Sequence, residues 1–243
     1  MDFTIEELTM NAWPSLQTIL LNGWIIRLAN GYTKRANSVN PIYSFGNNME
    51  SKIEYCEDIF RNNNLPVIFK IIDCGEYKIL DIKLETLNYG KVYLTSVQIC
   101  NDIQNMHYSN NIIVEDEFNE NWKNCFFNCG KINNKVKETI ENMLSNIKHK
   151  KICIYKKDKD NFIGCGYGVV EKGFVGLFDI IVKEEYRGNG FGKEIVEGIL
   201  AKAREVGINK AYLSVVNDNT IAKNMYEKIG FREIYKYWYR KKE

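Results

Sequence analysis

Arg187-Gly-Asn-Gly-Phe-Gly192 follows the apolar run Leu177–Val182 and precedes a stretch with helical periodicity. A glycine-rich turn between a strand and a helix exposes backbone N–H groups at the positive end of the helix. Such a cradle suits a pyrophosphate. Further along, Asn219, Ala222 and Tyr226 fall at i, i+3 and i+7 and so share one helical face. An amide and a phenol on one face offer a hydrogen-bonding contact and a transferable proton, since a free phenol titrates near pH ~10. Asp179 stands among Leu177, Phe178, Ile180 and Ile181. A carboxylate in an apolar run is costly to bury without a partner, so Asp179 is either a site residue or faces solvent across a splayed edge.

The loop fits neither of two common phosphate motifs. A dinucleotide fold wants G-x-G-x-x-G, but Lys193 stands where the third glycine belongs after Gly188 and Gly190. A P-loop wants Gly-Lys-Ser/Thr, and here Gly192-Lys193 runs into Glu194. Plainer readings exist for each residue: a flexible strand-to-helix turn for the loop, a helix cap for Asn219, a core aromatic for Tyr226. The combination is more specific. Arg187, Gly190 and Gly192 match Arg/Gln-x-x-Gly-x-Gly/Ala, and Asn219-x-x-Ala222-x-x-x-Tyr226-x-x-x-Gly230-Phe231 follows at the expected distance. In these motifs, over residues 112–243, the chain resembles the GNAT acetyltransferases, which move an acetyl group from acetyl-CoA to an amine.

The resemblance implies roles. Backbone groups of Ile180, Ile181 and Val182 would pair with the pantetheine arm and polarise the thioester carbonyl, as preorganised donors aimed at a developing oxyanion do. Arg187, Gly188, Asn189, Gly190, Phe191 and Gly192 would surround the pyrophosphate. Asn219 would contact the CoA arm, cap its helix, or do both. Tyr226 would be the general acid for the departing thiolate. Asp179 is the candidate base or amine-orienting group, with water-relayed deprotonation as the alternative. Glu184 stands where the family often has proline. The implied activity is acetyl-CoA-dependent N-acetyl transfer to a primary amine of a small molecule or amino-acid-like acceptor, by direct attack on the thioester and without a metal. The alternatives are a protein or peptide N-acetyltransferase and a non-catalytic acyl-CoA-binding module.

Positioning these residues requires an α/β (α+β) GNAT fold: a mixed, mostly antiparallel sheet flanked by helices. The catalytic domain is expected over 111–243. Its pattern predicts helices over 115–127 and 133–147, a meander of 152–155, 162–170 and 174–182, then helix, strand, helix, and a last strand at 234–239. The strand ending at Cys100 is the candidate first strand of this unit. Ile195, Ile199, Leu200, Ala203 and Val206 form an apolar helical stripe, with Gly207 as its C-cap.

An N-terminal α/β domain is expected over 1–110. Thr4-x-x-Glu7 reads as a capping box, and Pro14 as the start of a second helical turn. A strand at 23–29 leads into a polar connection, 31–41. Helix 49–61, strand 66–71, helix 77–87, Tyr89-Gly90 and a strand through 97–100 then repeat the order seen from 174 to 239. This half is read as a degenerate half-repeat without a CoA site, because 44–48 lacks the glycine pattern and no Asn-x-x-Ala-x-x-x-Tyr occurs. An unrelated α/β cap is the alternative. Arg27, Tyr32, Lys34, Arg35 and Asn37 either wall the acceptor pocket or form a solvated turn.

Whole-chain properties narrow the class. The 243 residues carry 33 basic and 31 acidic side chains, a net charge of +2, which does not suggest a dedicated nucleic-acid binder. No apolar run reaches the ~18 residues of a membrane span, and the acidic N-terminus lacks a signal-peptide pattern. A cytoplasmic protein, monomer or homodimer, is expected, with a small-molecule amine as partner and neither nucleic acid nor membrane. Seven cysteines without a C-x-x-C pair read as reduced structural thiols.

Overall fold

The computed structural model describes residues 3–43, 48–103, 106, 108 and 111–243. Within the first half run α1 (Thr4–Ala12), β1 (Gln17–Leu21), β2 (Trp24–Leu28), β3 (Ser38–Pro41), α2 (Met49–Asn62), β4 (Val67–Ile72), α3 (Lys78–Thr86) and β5 (Gly90–Cys100). The second half adds β6 (Ile113–Glu115), α4 (Glu120–Cys129), α5 (Asn134–Ser145), β7 (Lys150–Asp158), β8 (Asn161–Glu171), β9 (Phe174–Val182), α6 (Phe191–Glu205), β10 (Lys210–Val216), α7 (Thr220–Ile229) and β11 (Arg232–Lys242). The part of the 44–48 segment from 44 to 47 lies outside the described residues.

All eleven strands join one sheet, in the order β1-β2-β3-β4-β11-β5-β10-β9-β8-β7-β6. Each half contributes an antiparallel meander, β1-β2-β3 and β7-β8-β9, followed by a helix and a strand parallel to the last meander strand. The final strands are exchanged. β5 lies against β10, and β11 lies against β4. The two exchanged strands pair antiparallel at the centre. Strands of both halves therefore share one continuous sheet.

Local chemistry explains where the elements differ from expectation. Cys100 does not end the first strand of the second unit. Ile113–Glu115 takes that place beside β7, while β5 is claimed by β10 and β11. Glu115 thus belongs to a strand, and the next helix starts only at Glu120, where the Asn119 side chain accepts the Trp122 N–H at 2.9 Å. Thr4 is already inside α1, whose cap is Phe3 without a side-chain bond, so no capping box forms. Pro14 sits in the link between α1 and β1 rather than opening a helical turn, and Gln17–Leu21 pairs with β2 instead. Gly207, at φ +82°, follows the C-cap Val206 and lets the chain leave α6 in the left-handed region.

Two apolar layers sandwich the sheet. One runs through both halves and includes Trp13, Trp24, Phe69, Trp122, Tyr167 and Phe178. The other gathers Ile195, Ile199, Leu213, Tyr226 and Phe231 beneath α6 and α7. Helix α6 approaches β8 closely because that strand presents Gly164, Gly166 and Gly168 at alternate positions. A Cβ on Gly166 would stand 2.4 Å from Ile180 Cδ1 and 3.0 Å from Ile195 Cγ2. Among the described residues no helix is long and apolar enough to cross a membrane.

Candidate active site

The site forms where β9 and β10 part. Their parallel pairing extends only from Lys210↔Phe174 to Tyr212↔Gly176. Beyond it the β10-facing edge of β9, from Leu177 to Val182, has no strand partner. A bulge drives this divergence. Cys165 pairs with Ile181 and Tyr167 with Phe178, so Asp179 and Ile180 together oppose Gly166. Asp179 holds φ +46°, a left-handed conformation that aspartate tolerates better than most residues. Ile180, Ile181 and Val182 are all partly exposed along the open edge.

At one end of the gap lies the glycine loop. Glu184, standing in the proline position, opens a 3-10 turn to Tyr186 and pairs with Lys131 at 2.8 Å. Arg187 Nε donates to the Val182 carbonyl at 3.1 Å, and the Asn189 amide donates to the carbonyls of Tyr186 and Arg187. Asn189 therefore shapes the loop with its side chain. Gly188 and Gly190 both have φ +81°, with nothing within 4 Å of where a Cβ would be. Gly190 caps α6 with no side-chain bond, which leaves the first-turn N–H groups at Phe191, Gly192 and Lys193 without intrahelical acceptors. This open helix end fits a phosphate-bearing ligand. A Cβ on Gly192 would be 3.7 Å from Val182 Cγ2 and 3.9 Å from Met225 Sδ, so strand end, loop and α7 converge here.

Helix α7 flanks the same region. The Asn219 side chain accepts the Ala222 N–H at 3.1 Å and so caps the helix. Tyr226 is 7% exposed and meets Phe231 edge-on at 5.8 Å between ring centroids. Burial pushes its phenol up to about 12, so it keeps its proton throughout the neutral range.

Asp179 lies against the other layer. Burial raises its pKa, and the nearby Arg35 charge only partly offsets that. Arg35 Nη2 stands 3.6 Å from Asp179 Oδ1, while Oδ2 is buried with no hydrogen-bond partner. Arg35 also lies over the Trp13 ring at 5.0 Å and the Phe178 ring at 6.0 Å. Burial works against the Arg35 charge, but Asp179 and the tyrosines 237, 239 and 167 more than compensate, so its pKa is raised. Tyr32, partly buried beside Asp179, has its phenol pushed up by burial and by that carboxylate.

The polar segment of the N-terminal half thus divides. Arg35 pairs with Asp179, and Tyr32 lies near enough to feel that carboxylate's charge. Arg27 is buried with its charge spent on backbone carbonyls of Met10, Trp13 and Arg35. Asn37 accepts from the N–H groups of Ala29 and Gly31, and Lys34 covers the Tyr93 ring at 3.9 Å. Trp13 and Tyr167, which border Arg35 and Asp179, carry no local motif. Only their stacking across the halves, at 6.4 Å, brings them to the site.

A splayed parallel pair, an uncapped helix behind a glycine loop and a phenol on the following helix define a GNAT-fold acetyltransferase. The chain belongs to the family described as "Probable histone acetyltransferase Rv0428c C-terminal", whose model matches residues 4–240. It is 28% identical over 242 residues to an uncharacterised N-acetyltransferase, YobR, of Bacillus subtilis, covering 97% of this chain and 96% of the relative. A shorter match, 39% identical over 58 residues, is to a [ribosomal protein bS18]-alanine N-acetyltransferase of Haemophilus influenzae and covers 24% of this chain and 39% of the relative. Among solved structures, a conserved protein of unknown function from Staphylococcus epidermidis superposes with TM-score 0.71 at 15% identity, covering 100% of this chain and 98% of the other. A tandem GNAT protein from the clavulanic acid pathway superposes with TM-score 0.64 at 7% identity, over 98% of this chain and 87% of the other. The protein is an acyltransferase of the N-acetyltransferase type.

Proposed function

We propose that the chain transfers acetyl from acetyl-CoA to the primary amine of a small-molecule or amino-acid-like acceptor. The observation that carries this reading is the gap between β9 and β10. It has an open helix end and glycine loop at one side and a half-satisfied carboxylate at the other. The acyl donor supplies the activated acetyl group. Backbone N–H groups of Gly188 to Gly192 hold its pyrophosphate, with the helix dipole favouring negative charge. The unpaired edge at Ile180–Val182 binds the pantetheine arm. Asp179 accepts an N–H of the incoming amine and orients it; its raised pKa suits it to take a proton. Tyr226 returns a proton to the leaving sulfur. We place the activity in the cytoplasm, on free small molecules rather than nucleic acid or membrane.

The family description and the alanine N-acetyltransferase relative favour a second reading, transfer to a protein amine. An acetyl-CoA consumption screen over amines, amino acids, aminoglycosides and peptides separates the two. Turnover with small amines is expected. Turnover confined to peptides would establish the second reading, and CoA binding without turnover on any acceptor would leave only a binding module.

A further inference from the structure

Arg35 and Asp179 are both incompletely satisfied, and in complementary senses. A guanidinium offers five N–H donors in a planar fork. Among the described residues the one ion pair of Arg35 is with Asp179 Oδ1, and 3.6 Å is longer than a hydrogen bond. Asp179 Oδ2 is a buried acceptor without a donor. The pair is not sealed, for the Arg35 side chain keeps 27% of its exposure and Asp179 14%. Arg35 is fixed in place by the Trp13 and Phe178 rings beneath it. Its backbone is held as well, since its carbonyl accepts Arg27 Nη1 at 2.7 Å. A pair built only for stability would close into a bidentate contact and bury both ends.

We infer that Arg35 is a specificity residue, which requires the acceptor to carry an anionic oxygen group, carboxylate or phosphate, on a carbon close to its amine. The inference rests on the small-molecule reading above. Asp179 takes the acceptor's N–H, and the exposed part of the Arg35 side chain takes its anion. The closeness of the two receptor charges sets the spacing of the two groups on the acceptor. An uncharged analogue leaves the fork's donors unpaired in a partly buried setting, which is how polar sites reject substrates lacking the matching group.

The test is steady-state acetyl transfer by the full chain to alanine against alaninamide, and to 2-aminoethyl phosphate against ethanolamine. The expected result is a kcat/KM preference of roughly 10–100-fold for the anionic member of at least one pair. The pair that shows it distinguishes carboxylate from phosphate. Arg35→Met should raise KM for the anionic acceptor by a similar factor, leave KM for acetyl-CoA unchanged, and bring the anionic-to-uncharged preference close to one. Arg35→Lys should restore part of the preference. Equal use of both members in each pair by the wild-type chain overturns the inference while the proposed function stands. Equal loss on both members in Arg35→Met also overturns it, because Arg35 then serves only to steady Asp179. Transfer to peptides with none to any small amine removes the proposed function and this inference together.

Discussion

At Tyr226, packing and chemistry make opposite predictions for one conservative change. The phenol is buried against Phe231, so Tyr226→Phe preserves the ring contacts and removes only the proton donor. A positioned acid is worth about 10²–10⁴-fold in rate. We expect kcat to fall by that order under conditions where chemistry limits turnover, with CoA affinity and Tm close to wild type. Near-normal kcat would assign Tyr226 to the core alone. Asp179 allows a test of sign. Its folded pKa is raised above the unfolded value, so the stability contributed by its protonated form is complete below the ordinary carboxylate range. That contribution is lost as pH rises through the folded pKa. Above that pKa the ionised side chain is therefore a net burden on the fold. Asparagine keeps the shape and tolerates φ +46° equally well. Asp179→Asn should melt higher at a pH above the Asp179 pKa and transfer acetyl far more slowly, whereas a lower Tm by calorimetry there would mean that the Arg35 contact outweighs the burial cost.

Two elements set the geometry between those residues. The glycine loop works through its backbone, so side chains there should matter for the conformation they impose. Valine at Gly190 would have to adopt φ +81°, which a β-branched residue strongly resists. Gly190→Val should therefore lose CoA affinity in a chain that stays folded, and calorimetric titration giving wild-type affinity would reject the loop as the pyrophosphate site. The bulged strand depends on β8 being thin. A Cβ on Gly164 would stand 2.5 Å from the Ile181 carbonyl oxygen, which is backbone and cannot turn aside. Overpacking of this kind costs about 1–3 kcal/mol. Gly164→Ala should lower Tm by several degrees, and it should also disturb acetyl-CoA KM, because Ile181 lies on the open edge.

For the whole molecule the exchanged strands are decisive. β10 and β11 belong to the second half, yet β5 of the first half separates them and pairs with both. Residues 111–243 alone would leave β10 with a bare edge and β11 without either of its neighbours. We expect that fragment to be unstructured by circular dichroism. Co-expression with residues 1–110 should restore a folded, acetyl-CoA-consuming complex. A folded 111–243 fragment would show that β11 can pair with β10 directly. The same arrangement explains how Arg35, on a 3-10 turn before β3, reaches a carboxylate on β9.

The residues alone specified the second unit's element order from α4 onward, though not the short β6 before it, together with the glycine loop and the face carrying Asn219 and Tyr226. These are local properties: apolar period, glycine at positions needing positive φ, and i, i+3, i+7 spacing. The sequence also marked Asp179, because a carboxylate in an apolar run stands out without any structure. Tertiary structure alone decided the bulge that turns Asp179 off the strand's regular alternation, the parting of β9 from β10, and the exchange of β5 with β11. Each is a matter of which strand lies beside which, and a strand's own pattern gives its faces but not its neighbours. The polar segment 27–37 shows the same limit. Arg27 and Arg35 look alike in sequence, yet one is consumed by backbone carbonyls and the other faces Asp179. Only the packing of Trp13, Phe178 and Tyr167 across the two halves separates those two fates.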